Sequence, residues 1–122
     1  MEYAGIVIIK RLVYMMGGNC MVLEYYHGDD LTTRINADYM TQQVSIENFT
    51  DGMILRAFGV KENPTWEDYN NFLEERCTPR TRDKIKVWLR EIGVDSHDPL
   101  RICQKTEGRM YGDTFHIKFV EE

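Results

Sequence analysis

The sequence predicts an α+β fold, a small antiparallel sheet with three to four helices packed on one face. Three observations carry that expectation. Residues 22–48 fall into short strand-like runs separated by turn residues. Residues 50–108 space their apolar side chains three and four apart, between Thr, Asp and Pro starts and Gly stops. Residues 114–120 then alternate apolar and polar side chains. Strands, then helices, then one closing strand is the order of an α+β domain.

Val22–Tyr26 opens the sheet, with Leu23 and Tyr25 on one face. His27-Gly28-Asp29-Asp30 is turn chemistry, and Thr32–Asn36 is the expected hairpin partner. Gln43–Asn48 sets Val44 and Ile46 against Ser45 and Glu47, the pattern of a half-buried strand. Thr50 or Asp51 is expected to cap a short first helix carrying Met53, Ile54, Ala57 and Phe58, with Gly59 ending it. Thr65 is the N-cap of a second helix, and Asp68 takes the acidic capping-box position. Its inward stripe is Trp66, Tyr69, Phe72 and Leu73.

Thr78-Pro79 is expected to start a third helix, because proline at the first position gives up no needed N–H. Ile85, Trp88, Leu89 and Ile92 form its stripe, and Gly93 closes it. Trp66 and Trp88 should then meet where the second and third helices pack. Asp98-Pro99 opens a fourth helix that runs to about Lys105 and ends at Gly108. In the closing strand, Phe115, Ile117 and Phe119 point inward while His116 and Lys118 point outward.

A chain of 122 residues fits one domain, and 43% hydrophobic with 29% charged residues is a globular balance. The domain is expected to span residues 21–122. Residues 1–20 look like an added segment: their apolar run is too short for a membrane span, and its basic pair, Lys10-Arg11, follows rather than precedes it. Gly17-Gly18-Asn19-Cys20 resembles a translated ribosome-binding site ahead of a start at Met21. The competing reading is an extra strand over Ile6–Ile9.

The formal net charge of -5 argues against sequence-independent DNA binding, which needs a positive field. Cys20, Cys77 and Cys103 form no C-x-x-C pair and read as free thiols of a cytoplasmic protein. His27, Asp29 and Asp30 sit together, as do Asp95, His97 and Asp98, but turn and cap chemistry accounts for both groups. No nucleophile elbow or phosphate loop is present in the sequence. The expectation is a non-enzyme without cofactor or metal.

The third helix is more informative. Arg82, Lys86 and Arg90 are expected to stack at i, i+4, i+8 beside its apolar stripe, with Arg76, Arg80 and Lys84 nearby. The preceding helix is acidic, with Glu67, Asp68, Glu74 and Glu75, and Glu62 lies just before it. Either the two helices pair electrostatically, or the basic edge serves an acidic partner or phosphates. Arg80, Arg82, Lys84, Lys86 and Arg90 are the candidate protein-binding residues. Only Cys77-Thr78 separates the two expected helices, which also invites a helix-turn-helix reading.

From Ile46 to Phe119 the chain resembles a family of short proteins carried by integrative elements and prophages of Clostridia-type Firmicutes. The most specific parts are Arg76-Cys77-Thr78-Pro79-Arg80-Thr81-Arg82 and the segment from Asp98-Pro99 to Met110. Gly108, Asp113, Thr114 and Phe115 are also similar to small modules encoded beside HipA-type kinases, although His116 stands where those modules carry tryptophan. The resemblance implies a protein-binding factor, with a counter-defence inhibitor of the anti-CRISPR kind first. A regulatory partner of a toxin or kinase comes second and a helix-turn-helix regulator third. Its expected partner is a host or element-encoded protein, with no membrane association.

Overall fold

The computed structural model describes residues 20–120. Of the segment read as added, only Cys20 falls among them; residues 1–19, with the alternative strand over Ile6–Ile9, lie outside the described residues. Four antiparallel strands form one sheet in the order β3-β2-β1-β4, where β1 is Cys20–His27, β2 Asp30–Asp38, β3 Gln43–Asn48 and β4 Phe115–Val120. The β1–β2 hairpin turns at Gly28, whose φ of 61° suits a residue without a Cβ. The fold is α+β, as the order of elements predicts.

Strand register decides which side chains share the core. Phe119, Leu23, Ile35 and Ile46 align across all four strands, and Ile117 lies opposite Tyr25. An irregularity between Tyr25 and Tyr26 lets both Thr32 and Thr33 turn inward. Each buried hydroxyl is satisfied. Thr32 donates to the Tyr25 carbonyl at 3.0 Å, and Thr33 donates to Asn48 at 2.8 Å while accepting from the Ala57 N–H. The opposite face carries a charge row, Glu47–Arg34–Glu24–Lys118, in which Arg34 bridges both carboxylates.

Helix α1 (Trp66–Glu75) begins with a complete capping box between Thr65 and Asp68. It buries Tyr69, Phe72 and Leu73 against the sheet's inner face, where Phe72 meets Tyr25 edge to face at 5.1 Å. Each such side chain is worth about 1.5–3 kcal/mol of burial. Helix α2 (Ile85–Glu91) is a short satellite that buries only Leu89. Helix α3 (Pro99–Thr106) is capped by Asp98 on the Leu100 N–H at 3.2 Å and buries Ile102 and Cys103.

Several expectations for the helical half of the chain fail. The first helix is absent: Met53–Leu55 is a single 3-10 turn. Ile54 is 91% exposed and Met53 is exposed too, while Ala57 and Phe58, beyond the turn, pack against the core. The segment's polar groups are claimed elsewhere, Arg56 donating to the Thr50 carbonyl and Ala57 N–H to Thr33. The helix expected from Thr78-Pro79 begins only at Ile85, because Lys84 adopts a left-handed conformation (φ 55°) that breaks any helical path through it.

Residues 76–84 therefore separate α1 from α2, and the helix-turn-helix spacing is lost. The i, i+4, i+8 stack is lost as well, since Arg82 lies outside the helix. The tryptophans also part company. Trp66 packs edge-on against Tyr39 at 4.7 Å, whereas Trp88 lies under the Arg82 guanidinium at 5.0 Å. Among the described residues, no helix is long and apolar enough to cross a membrane.

Candidate protein-binding surface

The basic residues of segment 76–90 divide sharply. Arg76, the C-cap of α1, is buried and makes four hydrogen bonds. Its Nε donates to the Gly108 carbonyl at 3.0 Å, Nη1 and Nη2 clasp Asp113 at 2.9 and 3.2 Å, and Nη2 reaches the Phe115 carbonyl at 3.2 Å. The planar fork matches the carboxylate bidentately. Those bonds hold the Asp113 carboxyl below its ordinary pKa. Arg76 is a structural clamp on the loop leading into β4.

The five candidate binding residues, Arg80, Arg82, Lys84, Lys86 and Arg90, are all exposed. Arg80 pairs with Glu74 at 3.2 Å and also donates to the His97 carbonyl. Among the described residues, Arg82, Lys84, Lys86 and Arg90 make no ion pair. The acidic helix does not neutralise its basic neighbour. Asp68 turns to Lys61 at 2.6 Å instead, and only Glu74 reaches across to the basic segment. Lys86 and Arg90 share one face of α2, and Val87, 48% exposed, lies beside them.

The two acid–histidine groups of the sequence meet different fates. His27, Asp29 and Asp30 line a shallow cleft with Phe49, Thr50 and Leu55. The Asp95–His97–Asp98 group does not assemble: Asp98 caps α3 and Asp95 is exposed. His97 turns instead to the end of α1. Its Nε2 lies 2.7 Å from the Thr78 carbonyl and 3.8 Å from Cys77 Sγ, and its Nδ1 is buried without a hydrogen-bond partner.

Glu74, Cys77 and His97 bring their ligating atoms within 4.8 Å of one another. The sequence carried one hint, since Glu74 and Cys77 are three apart at a helix end; the third member comes from beyond α2. Burial, with Glu74 adding to it, pushes the Cys77 thiol up to about 11, so it is protonated at neutral pH and is no activated nucleophile. Cys103 is raised further, to about 12, again chiefly by burial. Tyr69, fully buried and joined to Tyr39 at 2.6 Å, is likewise held protonated.

The class that fold and surface define is a small α+β domain with an unneutralised cationic segment. No family model, characterised protein or solved structure matches the chain.

Proposed function

We propose that this chain is a non-enzymatic protein-binding domain that docks on an acidic protein surface through the exposed cations of residues 80–90. The observation that supports this reading is the placement of Lys86. It is the second residue of α2, whose first turn holds no acidic residue, and Arg90 follows one turn later. A cation at a helix N-terminus and a like-charge pair at i, i+4 both oppose helix formation. Folding alone does not ask for this arrangement. Binding does: Val87 offers an apolar centre, and the surrounding cations set orientation and on-rate toward a negative partner.

Nucleic acid is the weaker occupant. The whole chain carries a formal charge of -5, so counterion release has little to draw on. A seven-residue helix set apart by residues 76–84 also lacks the geometry of a recognition helix. In keeping with the sequence resemblance to mobile-element cargo, the proposed partner is a cytoplasmic host or element-encoded protein. The proposed action is inhibition of the counter-defence kind.

The test combines Arg82→Glu, Lys86→Glu and Arg90→Glu in one variant. Captured and cross-linked from a host extract, the unaltered protein should retain an acidic partner that the variant loses, while the two circular dichroism spectra coincide. Duplex DNA should give no specific gel shift at near-physiological salt. A sequence-specific duplex complex abolished by the triple change would replace this reading with a DNA-binding one.

A further inference from the structure

We propose that the free edge of β3 is a homodimer interface, on which a second copy of this chain pairs antiparallel about a two-fold axis at Ser45. The proposal stands apart from the cationic surface and would survive its failure. It begins with the backbone. The Phe49 N–H donates to the Thr32 carbonyl at 2.9 Å, which fixes the phase of the β2–β3 ladder. Hydrogen-bonded and non-hydrogen-bonded pairs alternate along an antiparallel ladder, so Glu47, Ser45 and Gln43 also turn their backbone groups toward β2. Val44, Ile46 and Asn48 turn theirs away from the sheet. Among the described residues those outward N–H and C=O groups have no partner.

The opposite edge is treated differently. On β4 the Ile117 N–H donates to the Glu107 carbonyl at 2.7 Å, and the Phe115 carbonyl accepts from Arg76. The chain's own groups cap that edge. On β3 they do not, and the strand lacks the usual devices against edge pairing: it has no proline, no lysine and no bulge.

What fits the open edge follows from the strand's own sequence, Gln43-Val44-Ser45-Ile46-Glu47, which is complementary to itself. About an axis at Ser45, Val44 lies opposite Ile46 of the second copy, and Ile46 opposite Val44 of the second copy. Both pairs extend the core face, where these two side chains are only half-buried. Both are also of the hydrogen-bonded kind, so each exchanges two N–H···O=C bonds and satisfies the outward groups of both residues. On the other face Glu47 meets Gln43 of the second copy, a carboxylate beside an amide donor. The two Glu47 carboxylates stand roughly 14 Å apart along the ladder. An axis at Glu47 would set them face to face, and an axis at Ile46 would set Val44 against Asn48. The Ser45 register avoids both. Exposed Met40 and Phe49 bound the strand at its two ends, and the axis brings the Phe49 end of one copy to the Met40 end of the other. Such a pair joins two four-stranded sheets into one, closes after two copies, and leaves only the capped β4 edges outside.

Sedimentation velocity of the full chain from about 1 μM to about 1 mM should show the mass rising from one chain toward two, as a small interface requires. Over the same range, the Val44 and Ile46 amide protons should come to exchange severalfold more slowly. Ser45 is exposed, so it can be changed without disturbing the core. Ser45→Lys alone and Ser45→Asp alone each oppose like charges on the axis. Each should stay a monomer throughout, with an unchanged circular dichroism spectrum. Mixed in equal amounts the two should pair again, because each then faces the opposite charge. A chain that stays a monomer to the top of the range overturns the proposal. So does a dimer that both variants keep, a mixture that does not pair, or exchange at Val44 and Ile46 that ignores concentration.

Discussion

Arg76 and Arg82 stand one short loop apart, and each guanidinium lies over aromatic rings. Arg76 is 5.7 Å from the Tyr25 ring and 5.8 Å from that of Phe115, and Arg82 is 5.0 Å from the Trp88 ring. There the likeness ends. Arg76 is 9% exposed and makes four hydrogen bonds, while Arg82 is exposed and pairs with no carboxylate among the described residues. The fold has consumed one cation and left the other to solvent. A charge that is surrounded by its own chain serves folding; a charge that the chain leaves open is available to something else.

The comparison breaks most easily at Arg76. Arg76→Ala strands the buried Gly108 carbonyl, removes the partner of the part-buried Phe115 carbonyl and frees Asp113, which is partly exposed and can rehydrate. The expected cost is about 3 kcal/mol, the low end for breaking a buried pair. At several degrees per kcal/mol for a domain of this size, the melting midpoint should fall by more than about 10 °C. Arg82→Ala should cost less than about 1 kcal/mol, as an exposed cation–π contact does. Equal losses from the two changes, measured by thermal circular dichroism, would erase the distinction between clamp and open surface.

Acid sharpens the same contrast. Hydrogen bonds from Arg76 come first in lowering the Asp113 pKa, with the Phe115 N–H at 3.1 Å adding to them. A carboxyl depressed in the folded state adds stability above its unfolded pKa of about 3.9 and loses it as pH falls through the lower folded value. Asp113→Asn should therefore cost about 1 kcal/mol at pH 7, little more than an exposed pair is worth, and its deficit against the unaltered protein should shrink below about pH 4. Asp68, brought to about 2 chiefly by its bond to Lys61, contributes to the acid limb of both proteins and cancels in the difference. A deficit constant down to pH 2, in urea titrations across that range, would detach Asp113 from Arg76.

The parts of this molecule legible from sequence are those whose signals are local. The capping box at Thr65–Asp68, the Asp98-Pro99 start and the alternation of Phe115–Val120 each depend on neighbours within a few residues, and each is present. The misreadings came where a distant group won. Thr33 on β2 takes the Ala57 N–H of the segment expected to be helical. Thr78-Pro79 resembles a helix start, yet the Thr78 carbonyl faces His97 instead, and the chain turns through left-handed Lys84 before α2 begins. Charge alone groups Arg76 with the basic residues after it, yet its buried pairing depends on Asp113, far along the chain. The Glu74–Cys77–His97 cluster was illegible for the same reason, since only the fold brings its third member back.

The smallest expected effect concerns Lys86, and here the sign matters more than the size. Lys86 occupies the second position of α2, where the exposed N–H groups of the first turn favour a negative side chain. Arg90 is one turn onward, so the two like charges also repel along the helix face. Lys86→Glu reverses both relations at once, placing an anion at the helix start and ahead of a cation at i+4, the better orientation of such a pair. The variant should be more stable than the unaltered protein by about 0.5 kcal/mol at low salt, which is about 2–4 °C in midpoint. The gain should fade toward zero near 1 M salt, where the screening length shrinks to about 3 Å. A cation kept where folding prefers an anion is what a binding surface leaves behind. Should Lys86→Glu destabilise the protein instead, by 0.5 kcal/mol or more on the order of these exposed-site effects, Lys86 has a folding role. The cations of α2 would then belong with Arg76, and the case for a reserved docking surface would lose its main support.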